Sequence, residues 1–208
     1  NQKSKKQDLN LTTENKNMIE YYYRTGTYSY FNYNSRTLYI NQTYTASQQQ
    51  IADEIIQYYR EYNRMAVYLH GKIGVGKTFL TYLICKELNG SFCDTYEPTS
   101  PGDYIQDLYS IINPTKEKPM ILLLDEIDIL LKMIHEERVP THKNVPIQVY
   151  NKITWNRFLD KIGMGIYPNL ILILCSNKPI QDIYKMDESY VRDGRVNMVK
   201  ELISLKND

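Results

Sequence analysis

Eight consecutive residues, Gly71-Lys72-Ile73-Gly74-Val75-Gly76-Lys77-Thr78, satisfy the pattern G-x-x-x-x-G-K-[ST]. Glycines at those positions let the backbone wrap a phosphate, with several N–H groups pointing inward at a helix start. Lys77 supplies a cation for the outer phosphates and Thr78 a hydroxyl for Mg²⁺, with Phe79 closing the nucleotide-contacting stretch. The competing reading is a glycine-rich turn with a surface lysine. An apolar run before the loop and an apolar helical pattern after it favour the phosphate cradle.

Three further groups follow. Ile121-Leu122-Leu123-Leu124-Asp125-Glu126 delivers two adjacent carboxylates at the end of an apolar strand, where open α/β sheets bind ligands. Asp125 is suited to hold Mg²⁺ and Glu126 to polarise an attacking water. Asp128 reads as a helix N-terminal acid rather than a third catalytic group. Ser176-Asn177 ends another apolar run, and Asn177 either orients the lytic water or simply turns the chain with Lys178-Pro179. Arg192-Asp193-Gly194-Arg195 sets two guanidinium groups about a tight turn, suited to phosphoryl charge or else a surface loop.

These groups need a scaffold, and the patterning predicts one. Residues 66–69, 120–124 and 170–175 are apolar strands, with 91–96 a short strand and 196–203 a last one. Helices are predicted over 78–88, 104–112, 149–162 and from the Asp-Glu pair through about 138, with a two-proline loop at 139–146. Fully apolar strands alternating with helices mean a parallel sheet covered on both faces. Before these, residues 1–17 read as a flexible tail. Residues 27–45 alternate as a β-hairpin, with Tyr28 and Tyr30 on one strand, a turn at Asn34-Ser35, then Leu38 and Ile40. Ser47 is the expected cap of a helix that buries Ile51, Ile55, Ile56 and Tyr59. The division is therefore 1–45, a tail and tyrosine-rich hairpin appendage, and 46–208, a three-layer α/β core with five parallel strands.

Composition narrows the class. The 208 residues are 42% hydrophobic and 24% charged, which excludes wholesale disorder. A net charge of +1 argues against a protein that coats DNA. Cys85, Cys93 and Cys175 are far apart and form no CxxC, which disfavours disulfide scaffolds and thiolate zinc and favours a reducing, intracellular compartment. His70, His135 and His142 fit no ligand spacing. No apolar run approaches the ~20 residues of a membrane span, and Asn1-Gln2-Lys3 begins no signal peptide. Asn1 in place of Met reads as a fragment or processed product. The excess of 20 tyrosines over 4 phenylalanines, with many Asn, Lys and Ile, reads as A/T-rich coding rather than a tyrosine function.

The order of strand with phosphate loop, strand with Asp125-Glu126, strand with Ser176-Asn177, then Arg192-x-Gly-Arg195 resembles an AAA+ ATPase over about residues 46–203. Residues 103–128 and 155–196 are similar, more loosely, to the AAA branch of the mitochondrial Rieske-protein translocase and its large-DNA-virus relatives. The resemblance implies a P-loop NTPase fold and binding of ATP and Mg²⁺. It gives Lys77, Thr78, Asp125, Glu126 and Asn177 the Walker A, Walker B and sensor-1 roles. It makes Arg192 and Arg195 fingers acting on a neighbouring subunit in a hexamer-like ring that remodels a protein or nucleic acid, in a cytoplasmic setting or a virus-infected host cell. Departures stand beside it. Lys72-Ile73 replaces the two prolines common in the loop, Glu97-Pro98-Thr99-Ser100 stands where an aromatic pore loop belongs, and the chain stops where a helical lid should begin. Other readings are a superfamily-three helicase or helicase loader, a small-molecule kinase, and a nucleotide-gated assembly protein with little turnover. A GTPase is disfavoured because Asn177-Lys178-Pro179-Ile180 lacks the aspartate that reads guanine.

Overall fold

In the computed structural model, described for residues 17–27 and 31–203, seven strands form one sheet. They are β1 (Met18–Thr25), β2 (Asn32–Tyr39), β3 (Arg64–His70), β4 (Ser91–Cys93), β5 (Met120–Leu124), β6 (Leu170–Ser176) and β7 (Met198–Glu201). Their order across the sheet is β2-β1-β4-β5-β6-β3-β7. Every neighbouring pair is parallel except the β1–β2 hairpin. The α-helices among the described residues are α1 (Ala46–Tyr62), α2 (Lys77–Glu87), α3 (Ile105–Ile112), α4 (Ile127–His135), α5 (Lys152–Gly163) and α6 (Ile180–Asp187). The α/β reading and the parallel sheet with helices therefore stand.

Strand alternation sorts the core into two layers. On β6, Leu170, Leu172 and Leu174 face α3, α4, α5 and α6, whereas Ile171, Ile173 and Cys175 face α1 and α2. Residues of β5 divide the same way, Leu122 and Leu124 against Ile121 and Leu123. Both strands are buried along their whole length, which is why they read as unbroken apolar runs. Trp155, on α5, is fully buried and its indole N–H donates to the Tyr190 carbonyl at 3.0 Å. Among the described residues no helix is long and apolar enough to cross a membrane.

Several expectations change in detail. The hairpin begins at Met18, its two strands are joined through residues 26–31, and Asn34 and Ser35 lie inside β2 opposite Tyr23 and Tyr22. Gly26, at φ 84°, bends the chain as it leaves β1. Tyr28 and Tyr30 lie outside the described residues, as do residues 1–16 of the predicted tail. Thr45, not Ser47, caps α1: its hydroxyl accepts the Gln48 N–H, and Gln48 Oε1 accepts the Thr45 N–H in return. α6 was not anticipated, because Pro179 before it reads as a turn and only Ile180 and Ile183 of its eight residues are buried.

The hairpin is bonded into the sheet, Glu20, Tyr21 and Tyr22 pairing with Ser91, Phe92 and Cys93 of β4. One buried carboxylate fastens its far end. Asp103, 1% exposed, accepts the Tyr33 hydroxyl at 2.7 Å, Arg24 Nη1 at 2.7 Å and the Glu97 N–H at 2.9 Å. Burial pushes this carboxyl up, and the bonds from Tyr33, Glu97 and Arg24 pull the other way. Tyr21 and Tyr82 both donate to Asp94, tying the hairpin to α2 as well. Asp103→Ala strands a guanidinium and a buried hydroxyl, so it should lower unfolding stability by about 3 kcal/mol. A urea midpoint equal to that of the unsubstituted chain would show that Asp103 does not fasten the hairpin.

Candidate functional site

The loop between β3 and α2 is shaped by its glycines. A Cβ on Gly71 would lie 2.4 Å from the Leu202 carbonyl oxygen, and one on Gly76 would lie 2.9 Å from Gln48 Nε2. Gly76 also has φ 91°, a left-handed conformation, and serves as the N-cap of α2 without any side-chain bond to that helix end. The first-turn N–H groups of α2 are thus left for an anion. Gln48, 4% exposed, donates to the Gly76 carbonyl at 3.2 Å and so fixes the loop against α1.

Lys77 is buried, and its ammonium donates to the Gly71 carbonyl at 2.8 Å, the Lys72 carbonyl at 3.2 Å and Asn177 Oδ1 at 2.8 Å. Three donors meet three acceptors on two neighbouring strand ends. One residue on, the Thr78 hydroxyl donates to Asp125 Oδ2 at 2.8 Å. Asp125 Oδ1 accepts the Glu126 N–H at 2.9 Å, and Glu126 stands in a left-handed conformation, φ 51°, with its side chain exposed. Non-glycine residues in that conformation carry a backbone cost and occur where the turn aims a side chain.

Ile73, Gly74, Gly76, Lys77, Thr78, Phe79, Asp125, Glu126 and Asn177 together line a cleft of about 390 Å³ at the carboxyl ends of β3, β5 and β6. Most of the predicted phosphate-loop residues, both carboxylates and Asn177 are therefore brought together, while Gly71, Lys72 and Val75 do not line the cleft. Lys72 lies exposed on the outside of the loop, and Val75 packs into the layer beneath it. Two participants escaped the sequence reading. Gln48 had a signal, since Thr45-x-x-Gln48 is a capping box, but nothing local tells that its amide reaches residue 76. Asp128 reads as a helix-end acid, yet its Oδ1 accepts the Ser176 hydroxyl at 3.0 Å and the Asn177 N–H at 3.4 Å.

The two arginines part company. Arg192 is exposed and is not among the residues lining the chain's own cleft. Arg195 is 7% exposed, and its guanidinium grips both oxygens of Asp160 on α5, at 2.7 Å from Nε and 3.0 Å from Nη2, with Nη1 on the Ser189 carbonyl. The expectation of two outward fingers does not hold for Arg195, which is committed to its own chain. Its hydrogen bonds hold the Asp160 carboxyl below the usual range. A depressed folded-state pKa stabilises above the unfolded value of about 3.9 and is lost as pH falls through the folded value. Arg195→Ala should therefore cost about 2 kcal/mol near neutral pH, the partly exposed Asp160 limiting the loss. The gap between variant and parent should narrow as pH falls below the unfolded value of about 3.9, read by urea unfolding across pH. A pH-independent gap would assign the loss to packing alone.

The donor set fits a nucleotide with Mg²⁺. Uncapped N–H groups and the Lys77 ammonium suit phosphate oxygens, while the Thr78 hydroxyl and Asp125 carboxylate, in contact with each other, are hard oxygen ligands. Among the described residues no group of three or more His, Cys, Asp or Glu gathers to hold a metal. Such a site suits an ion that keeps its waters and shares phosphate oxygens.

Comparison with known proteins agrees with this geometry. The family model described as ATPase family associated with various cellular activities (AAA) matches residues 67–202. That span runs from within β3 to just past β7 and includes the phosphate loop, Asp125, Glu126, Asn177 and both arginines. A search of curated proteins found no match. The family match covers more than half of the 208 residues, and the chain belongs to the AAA ATPase family.

Proposed function

We propose that the chain hydrolyses ATP with Mg²⁺ and couples hydrolysis to the remodelling of a macromolecule, as one subunit of a hexamer-like ring. The observation that carries this reading is the convergence of Lys77, Thr78, Asp125, Glu126 and Asn177 on one cleft. Lys77 and the loop N–H groups bind the phosphates. Thr78 and Asp125 hold Mg²⁺, which when bound neutralises charge on the phosphate oxygens. Glu126, exposed beside Asp125, takes the proton of the attacking water, a contribution of about 10²- to 10⁴-fold. Asn177 orients that water or the outer phosphate. Arg192 acts on the nucleotide of the next subunit, and a finger of this kind contributes about 10³- to 10⁵-fold.

The nucleotide-binding unit in this proposal is residues 46–208, with residues 1–45 an accessory whose hairpin braces the loop after β4. In that loop Glu97 pairs with Arg24 and Ser100, so residues 97–100 are anchored to the hairpin. This favours remodelling by movements of whole subunits over threading past a mobile aromatic loop. The remodelled partner is a protein or a nucleic acid. The finer kinship, with the AAA branch of the Rieske-protein translocase and its large-DNA-virus relatives, rests on the resemblance of residues 103–128 and 155–196. A reducing intracellular setting accords with three buried free thiols at Cys85, Cys93 and Cys175.

Substitutions separate the roles. Lys77→Ala should abolish ATP binding, whereas Glu126→Gln should bind ATP and lose turnover by about 10²-fold or more. Hydrolysis by Glu126→Gln at the parent rate would remove the catalytic assignment. Arg192→Ala and Lys77→Ala chains should each be inactive alone and regain turnover on mixing, because a mixed interface pairs an intact loop with an intact finger. Full activity of Arg192→Ala at every protein concentration would rule out action between subunits.

A further inference from the structure

Asp128 lies on the first turn of α4, three residues beyond Asp125, and faces β6 rather than open solvent. Its Oδ1 accepts the Ser176 hydroxyl and the Asn177 backbone N–H. Ser176, 1% exposed, uses the same hydroxyl oxygen to accept the Lys178 N–H at 2.8 Å, and the Lys178 carbonyl accepts the Tyr68 hydroxyl at 2.9 Å. The turn that carries Asn177 is thus held through its backbone by α4 and β3, while the Asn177 side chain meets Lys77. A helix-end acid acting by charge alone needs neither contact. Here the carboxylate joins the strand end that bears Asp125 and Glu126 to the strand end that bears Asn177.

We propose that Asp128 is a positioning residue for hydrolysis: as a hydrogen-bond acceptor it fixes the Ser176-Asn177 turn, so that the Asn177 amide keeps its place between Lys77 and the reacting groups. The proposal rests on the ATPase reading above. Displacing a reacting or orienting group by about 1 Å costs up to about 10²-fold in rate. Loss of the acceptor should therefore act on kcat and leave substrate binding alone, because Asp128 does not line the cleft.

The test uses the full chain with Asp128→Ala, Asp128→Asn and Ser176→Ala, measuring kcat, KM, affinity for a non-hydrolysable ATP analogue, and hydrogen exchange over residues 176–178. Asp128→Ala should lower kcat by about 10- to 100-fold with KM and analogue affinity within about twofold. Exchange at 176–178 should quicken. Asp128→Asn keeps an oxygen acceptor at the same place and should recover most of kcat, and Ser176→Ala should fall between. Parent-like kcat in Asp128→Ala overturns the proposal, as does an Asp128→Asn chain no better than Asp128→Ala, which would mean that charge rather than the acceptor matters. A loss confined to KM overturns it as well. If Asp128→Ala fails to fold by circular dichroism, Ser176→Ala decides: a kcat loss at unchanged KM supports the proposal and parent-like kcat overturns it. If the parent chain binds ATP but hydrolyses none, the ATPase reading has failed, and exchange at 176–178 that Asp128→Ala leaves unchanged refutes the positioning claim separately.

Discussion

A buried ammonium is tolerable only when its donors are met, and the arrangement about Lys77 follows from that requirement. Two acceptors come from carbonyls of its own loop and the third from Asn177 on the adjacent strand. Meeting it demands that β3 and β6 lie side by side in register, His70 opposite Ser176. It also demands a loop that turns its carbonyls inward, which the glycines permit. The hydroxyl of Thr78 and the carboxylate of Asp125 extend the same network to β5. The parallel sheet thus acts as a ruler, setting three strand ends at fixed spacing so that groups distant in sequence meet in one cleft.

Around that cleft, α5 carries a second requirement. One face of it holds the segment that bears Arg192, through Lys152 to Asp187, the Trp155 indole to the Tyr190 carbonyl, Asn156 to the Ser189 hydroxyl at 3.2 Å, and Asp160 to Arg195. Gly163 lets the helix approach closely, since a Cβ there would come within 2.6 Å of the Gly194 carbonyl oxygen. One arginine of the tetrapeptide is thereby an internal anchor, which leaves the other exposed on a turn held against α5.

Strand identity was plain in the sequence wherever burial on both faces left unbroken apolar text, as in Met120–Leu124 and Leu170–Ser176. The phosphate loop, the two carboxylates and Asn177 were legible because each stands at the end of such a run. Side chains whose partners are remote were not. Arg195 differs from Arg192 through its hold on Asp160, 35 residues earlier, and on the Ser189 carbonyl, and Asp128 gains its contacts only when β6 comes alongside. The hairpin register was misjudged because tyrosines serve both faces: Tyr22 and Tyr33 enter one layer, Tyr21 the other, and no clean alternation marks the turn.

The sheet order has a consequence for biosynthesis. The strand that feeds the phosphate loop, β3, has as neighbours β6 and β7, more than a hundred residues later in the chain. During translation its edges stay unpaired until both have emerged, while the hairpin, whose contacts are local, can form at once. Asn177 and the Leu202 carbonyl that abuts Gly71 arrive late. A ribosome-bound nascent chain therefore displays the complete phosphate-binding text long before it has the pocket. A pocket that needs β6 and β7 beside β3 is thus completed by strands made well after the loop itself.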